Sequence, residues 1–338
     1  MMGAAGFEPA TAWSEAKHSV QTELSARHYT LHDHRCLNVP IRDDAVPRHL
    51  YGWSADGGDM ERARGFLELT RPANAAASGA LTGIGAFVAN VTIGQLPQVA
   101  VAVAATVFAV GAGNAINDYF DRDIDRINDP ERPIPRGAVS ERGALVFSTV
   151  LFTLAAGFAL ALPTLALAIA AVNLLLLVAY TKFFKGTPGA GNALVAYLGG
   201  STFLFGGATV GNVEPTVVLG LLAAVSTLAR EIIKDVEDVD GDREEGLRTL
   251  PVVVGDRRAL GLALALILVA AVASPLPYLL DMFGAAYLLI VAPAVGIMLY
   301  AGYEGFADPT MGQAHLKYGM FLAVLSFVVG RATLVVGI

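Results

Sequence analysis

Residues 96–125 read LPQVAVAVAATVFAVGAGNAINDYFDRDID. From Leu96 to Asn117 no side chain carries a charge, and then aspartates stand at Asp118, Asp121, Asp123 and Asp125. A helix needs roughly 20 apolar residues to cross the hydrocarbon core of a bilayer. The first part therefore predicts a membrane span, and the second a charged continuation at its end. The same reading extends outward. The uncharged stretch reaches back to Pro72, and two more, Gly143–Thr181 and Gly186–Val213, each hold one or two spans. The chain of 338 residues is 54% hydrophobic and 16% charged, with a mean hydropathy of +0.56. A soluble chain is nearer about 45–50% apolar. A net charge of −7 argues against nonspecific nucleic-acid binding. The single cysteine, Cys36, excludes an intrachain disulfide and a zinc–cysteine cluster.

From Met60 onward, apolar segments alternate with charged loops. The expected spans are 73–94, 97–117, 143–161, 163–181, 190–211, 215–234, 257–277, 282–303 and 316–337, an all-α, polytopic membrane bundle of about nine helices. Pro or Gly punctuates the breaks at Gly94–Pro97, Ala161–Pro163, Gly211–Pro215 and Ser274–Pro277. Gly and Ala recur within spans, where small residues let helices approach closely in lipid. Arg62, Arg64, Arg71, the arginines between 122 and 142, Lys182, Lys185, Arg243, Arg248, Arg257 and Arg258 all fall in alternate connections. The intervening loops near Pro97, Pro163, Val213 and Asp281 have no Lys or Arg. By the positive-inside rule the basic loops and the N-terminus are cytoplasmic.

Residues 1–59 differ in kind. They hold Cys36, both tryptophans and five of the six histidines, with no apolar period. They read as a disordered extension or an over-extended reading frame ahead of a membrane domain at 60–338. His28, His32, His34 and Cys36 are read as part of that tail, since no second ligand pair surrounds them.

Two loops carry the chemistry. The first is Asn114-Ala-Ile-Asn-Asp-Tyr-Phe-Asp-Arg-Asp-Ile-Asp125, the second Arg230-Glu-Ile-Ile-Lys-Asp-Val-Glu-Asp-Val-Asp-Gly-Asp242. Both contain D-x-x-D-x-x-x-D: Asp118, Asp121 and Asp125, then Asp235, Asp238 and Asp242. On a helix these spacings share one face, extended by Asn114 and Asn117 in the first copy. Clustered carboxylates beside a bilayer need compensation. Magnesium suits carboxylates that leave positions open for phosphate oxygens, and it would stabilise a departing diphosphate. The expected metal and catalytic set is therefore the six aspartates with Asn117. Asp123, Asp129, Asp240 and Glu245 are read as solvated. Arg132, Arg136, Lys182, Lys185, Arg230 and Lys234 are candidates to grip the diphosphate. Arg71, opening the first span with Asn74, either binds an acceptor's anionic group or anchors the helix at the interface.

These motifs resemble those of the UbiA superfamily of intramembrane prenyltransferases, over Met60 to Ile338. The resemblance implies a helical bundle with a central cavity that opens sideways to lipid and is capped by the motif loops. It implies magnesium-dependent prenyl transfer, with Asn117, Asp121, Asp238 and Asp242 at the metal–diphosphate site and Tyr180, Lys185 and Asn192 near the cavity. The runs Lys234–Asp242, Arg248-Thr-Leu-Pro251 and Lys317-Tyr-Gly-Met320 are similar to its archaeal ether-lipid branch. That likeness implies transfer from geranylgeranyl diphosphate to geranylgeranylglyceryl phosphate, a lipid-phosphate acceptor, with no obligate protein partner. An aromatic acceptor of quinone synthesis is the alternative within the family. Outside it stand a CDP-alcohol phosphotransferase, whose D-G-x-x-A-R motif is not found, and an ion-coupled transporter, which would place ionisable groups at the bilayer midplane.

Overall fold

A computed structural model describes residues 55–336, with side chains from 58. The expectation for the tail, His28–Cys36 included, lies outside the described residues.

Every described element is helical. A first helix, α1 (Ala55–Leu69), leads into α2 (Pro72–Val88), and a short 3₁₀ turn, Ile93–Gln95, into α3 (Leu96–Asn128). Then follow α4 (Glu141–Ala159), α5 (Thr164–Ala179) with a π turn at Tyr180–Phe184, and α6 (Ala190–Thr209). α7 (Glu214–Glu237) is followed by two short helices, α8 (Val239–Glu244) and α9 (Leu250–Val254). The chain ends with α10 (Asp256–Ala273), α11 (Leu276–Leu279), α12 (Ala285–Glu304) and α13 (Pro309–Val336). Helix starts follow local chemistry. Pro72, Pro97 and Pro215 sit in first turns, where an amide donor is not needed. The Ser140 side chain accepts from the Gly143 amide at 3.1 Å and caps α4.

Each expected span contains a helix. Seven helical stretches are long and apolar enough to cross a membrane by length and composition. The two that are not, α2 and α6, have a physical reason. α2 has only 17 residues, and α6 dilutes its apolar content with Gly191, Gly199, Gly200, Gly206 and Gly207. These glycines permit close packing. A Cβ on Gly206 would lie 2.1 Å from the Thr82 carbonyl oxygen of α2, and one on Gly200 would lie 2.4 Å from the Gly220 oxygen of α7. The two helices are thus set among the others backbone to backbone, and Thr82 and Thr106 share a hydroxyl hydrogen bond of 2.8 Å between α2 and α3.

Size is sorted across the bundle. Ala229, Ala259, Ala263 and Ala301 are fully buried with Ile232, Ile267 and Leu316 where α7, α10, α12 and α13 meet. Leu175, Val269, Val272 and Leu289 are exposed on the outside. Large apolar residues outside and small ones within is the arrangement of a bundle solvated by lipid, where association depends on close packing.

Candidate active site

α3 continues without a break through the first motif and ends only at Asn128. Asp118 and Asp125, seven residues apart, lie nearly in line along it. Arg132 bridges them, with Nη1 donating to Asp118 Oδ1 at 3.3 Å and to Asp125 Oδ2 at 2.9 Å. Burial opposes charge on Arg132, but the carboxylates of Asp118, Asp125 and Asp129 together outweigh it and its pKa is raised. Asp121, turned to the side of that line, takes bonds at Oδ2 from Asn117 Nδ2 at 2.8 Å and Lys185 Nζ at 2.5 Å.

The second motif is built differently. α7 stops at Glu237, and Asp238, with φ −91° and ψ 3°, joins it to α8. That bend re-aims the chain, so the expected single helical face does not form. Asp238 and Asp242 come to the same space as Asp121 and Asp125, and Thr249 donates to Asp242 Oδ2 at 2.8 Å. The four aspartates line one cavity of about 540 Å³ together with Arg132 and Lys185.

The first aspartate of each motif stays out of it. Asp118, 5% exposed, accepts from Arg71 Nη2 at 2.7 Å. It lies two turns deeper than Asp125, roughly 10 Å along the axis. Asp235 remains on α7 and accepts from Asn192 Nδ2 at 2.8 Å. Both tie helices together: Asp118 holds the start of α2, and Asp235 holds the start of α6. Arg71 adopts φ 47°, an uncommon conformation for a residue with a side chain, and Asn114 Nδ2 bonds the neighbouring Thr70 oxygen at 2.9 Å.

The π turn after α5 positions Lys185, whose amide bonds the Tyr180 oxygen at 2.9 Å. Wide turns of this kind recur at functional sites. Gly186 follows at φ +71°, and a Cβ there would meet Leu247 Cδ2 at 2.8 Å. Its oxygen accepts the Arg248 amide at 3.1 Å, so the loop after α5 is fastened to the second motif loop.

Other expected contacts are placed elsewhere. Arg136 bonds Glu68 Oε2 of α1 at 2.6 Å. Lys182 lies over the Phe183 ring at 5.3 Å, and Lys234 is exposed in the last turn of α7. Tyr180 packs against Gly191. Asn74 and Arg230 line a separate chamber of about 290 Å³. Asp123 and Asp240 are exposed and pair with Arg126 and Arg243, as expected. Asp129 and Glu245 are exposed, as expected, and both also line the cavity, with Asn128 and Glu237. Asp129 could have been found four residues after Asp125. Glu245 could not, because its place depends on the 2.6 Å bond from Asn128 across the two loops.

Seven carboxylates therefore face two cations around one space, which demands further positive charge. Among the described residues no three His, Cys, Asp or Glu side chains converge as a ready-made ion cage. Magnesium is commonly held by one or two carboxylates plus substrate phosphates rather than by a protein cage, so this donor set fits a metal–diphosphate complex.

Residues 77–325 carry the pattern of the UbiA prenyltransferase family. The chain belongs to that family. It is a multi-pass membrane protein. It is 61% identical over 277 residues to the digeranylgeranylglyceryl phosphate synthase of Natronomonas pharaonis, covering 82% of this chain and 100% of that one. Identity is 58% to the Halobacterium salinarum synthase (80% and 99% covered) and 43% to that of Methanopyrus kandleri (78% and 98%). A solved structure described as a digeranylgeranylglyceryl phosphate synthase in membranes superposes with a TM-score of 0.72 at 35% identity, covering 80% and 99%. An Archaeoglobus fulgidus UbiA homologue solved with DMAPP and Mg²⁺ has the same fold, with a TM-score of 0.58 at 20% identity over 76% and 98%.

Proposed function

We propose that this UbiA-family prenyltransferase moves a geranylgeranyl group from geranylgeranyl diphosphate to the free hydroxyl of geranylgeranylglyceryl phosphate, making the second ether bond of an archaeal membrane lipid. The observation that carries this is the likeness, over the whole length of the Natronomonas synthase, at 61% identity. The donor's C1–oxygen bond breaks, diphosphate departs with the bonding pair, and the acceptor oxygen bonds C1 and gives its proton to the departing diphosphate or to water. Asp121, Asp125, Asp238 and Asp242 would hold magnesium, and bound magnesium supplies the positive charge that stabilises departing diphosphate. Asn117 orients Asp121, while Lys185 meets the same phosphate oxygens as a point charge. Burial raises the pKa of Asp125, and Arg132 opposes that shift and aims the carboxylate. The apolar bundle holds the prenyl chain and keeps water, the competing nucleophile, from the allylic carbon.

The test is purified protein with labelled geranylgeranyl diphosphate and two acceptors, geranylgeranylglyceryl phosphate and an aromatic acid. The expected product is the diether phosphate alone. Chelation abolishes it, and magnesium restores it better than calcium, whose looser coordination suits the site less well. Turnover of only the aromatic acceptor overturns the reading.

A further inference from the structure

The chamber of about 290 Å³ lies among α2, α6, α7 and α13. Its lining is graded. Asn74, Arg230 and Lys317 stand toward the ends of their helices nearest the motif loops, while Leu81, Phe203 and Val324 lie deeper in the bundle. The polar end sits close to the carboxylate cavity through two helices. Asn74 is on the first turn of α2 behind Arg71, which holds Asp118. Arg230 precedes Asp235 by five residues on α7, roughly 7.5 Å along the axis.

The charges at that end are not balanced internally. Arg230 pairs with Glu231 at 2.8 Å and donates to Gln313 Oε1 at 2.9 Å, which fixes the guanidinium. Its Nε is buried and has no hydrogen-bond partner among the described residues. Such a donor is expensive to leave unmade. Glu231 offsets one cation, so the charge of Lys317 remains, its ammonium 6.0 Å from the Phe321 ring. Phe321 lines the chamber and is half-exposed on the outside of the bundle.

We infer that this chamber seats the acceptor lipid, with Arg230 and Lys317 holding its phosphate and the apolar walls its isoprenoid chain. The inference rests on the proposed reaction for the acceptor's identity. It assigns Arg230 to the acceptor rather than to the donor diphosphate, and it separates the two anions: one meets carboxylate-held metal and Lys185, the other meets side-chain cations alone. A single basic site would not distinguish a phosphate monoester from a diphosphate, and two sites of different chemistry do.

The experiment is equilibrium binding of labelled geranylgeranylglyceryl phosphate to the purified protein in detergent, without donor and with chelator. Lys317→Gln and Arg230→Gln are expected to weaken binding by about tenfold or more, and Lys317→Arg to restore it. Geranylgeranylglycerol, which lacks the phosphate, should bind wild type and both variants equally. Donor binding in magnesium should follow Lys185→Gln instead. Unchanged acceptor binding in the variants, an equal loss for the phosphate-free lipid, or a loss of donor binding in its place overturns the assignment. Intact acceptor binding by a wild-type protein that makes no product counts against the proposed reaction and leaves the chamber standing.

Discussion

Asp121 takes hydrogen bonds from Asn117 and Lys185 beside the cavity, whereas Asp118, one turn deeper, is enclosed by Arg71 and Arg132. The same residue type at neighbouring turns therefore answers to different tests. Asp121→Asn and Asp238→Asn should each lower kcat by about 1,000-fold or more, roughly 4 kcal/mol of transition-state stabilisation, with the thermal midpoint in detergent unchanged. Asp123→Asn, at an exposed ion pair, should stay within a few tenths of a kcal/mol of wild type in both. Asp118→Asn should act first on stability, by about 1–3 kcal/mol, because it leaves Arg71 short of the partner that holds its unusual backbone in place. A stable Asp118→Asn protein with no activity would move this residue from the scaffold to the metal site.

Among the elements, α2 and α6 decide how the rest can pack. Their backbones meet at Gly85 and Gly206, where even a methyl group has no room. Gly206→Ala should force the helices apart and cost about 1–3 kcal/mol, the usual penalty of overpacking. Gly157→Ala on α4, where a Cβ meets open space, should leave the thermal midpoint where it is. Equal midpoints for the two variants would show that the close approach contributes nothing. The same logic applies to the π turn after α5. It is a local departure from the regular helix whose effect is to deliver Lys185 to Asp121.

For the whole molecule, the distribution of charge sets the orientation. The loops bearing the aspartates also bear the arginines and lysines, and the opposite loops bear neither Lys nor Arg. We expect the motif loops to face the cytoplasm. In a Cys36→Ser background, an impermeant maleimide should label Leu160→Cys, on the exposed turn after α4, in intact cells. It should label Glu244→Cys, in the second motif loop, only after lysis. The reverse pattern would place the active site on the other side of the membrane.

Fold class was legible because lipid imposes a simple requirement: long uncharged runs must be helices, with every backbone group bonded internally. The expected segments from 73 to 337 each contain one. The start of the first acidic loop was legible for the same reason, since Asp118 directly ends an uncharged run, whereas Arg230, Glu231 and Lys234 stand between the uncharged run of α7 and Asp235. What the sequence by itself determined is thus the all-helical class, the places of the long apolar helices and the two acidic loops. Spacing alone could not say which aspartates share a space. Equal D-x-x-D-x-x-x-D runs became an unbroken helix in one case and a bend at Asp238 in the other, and in both the first aspartate was claimed by a neighbouring helix, through Arg71 or Asn192. Only the tertiary structure decided that, and it also brought Glu245, Lys185 and the Arg230–Lys317 chamber into place. Periodicity along one helix fixes direction about its own axis, but partners come from other helices whose approach depends on packing throughout the bundle.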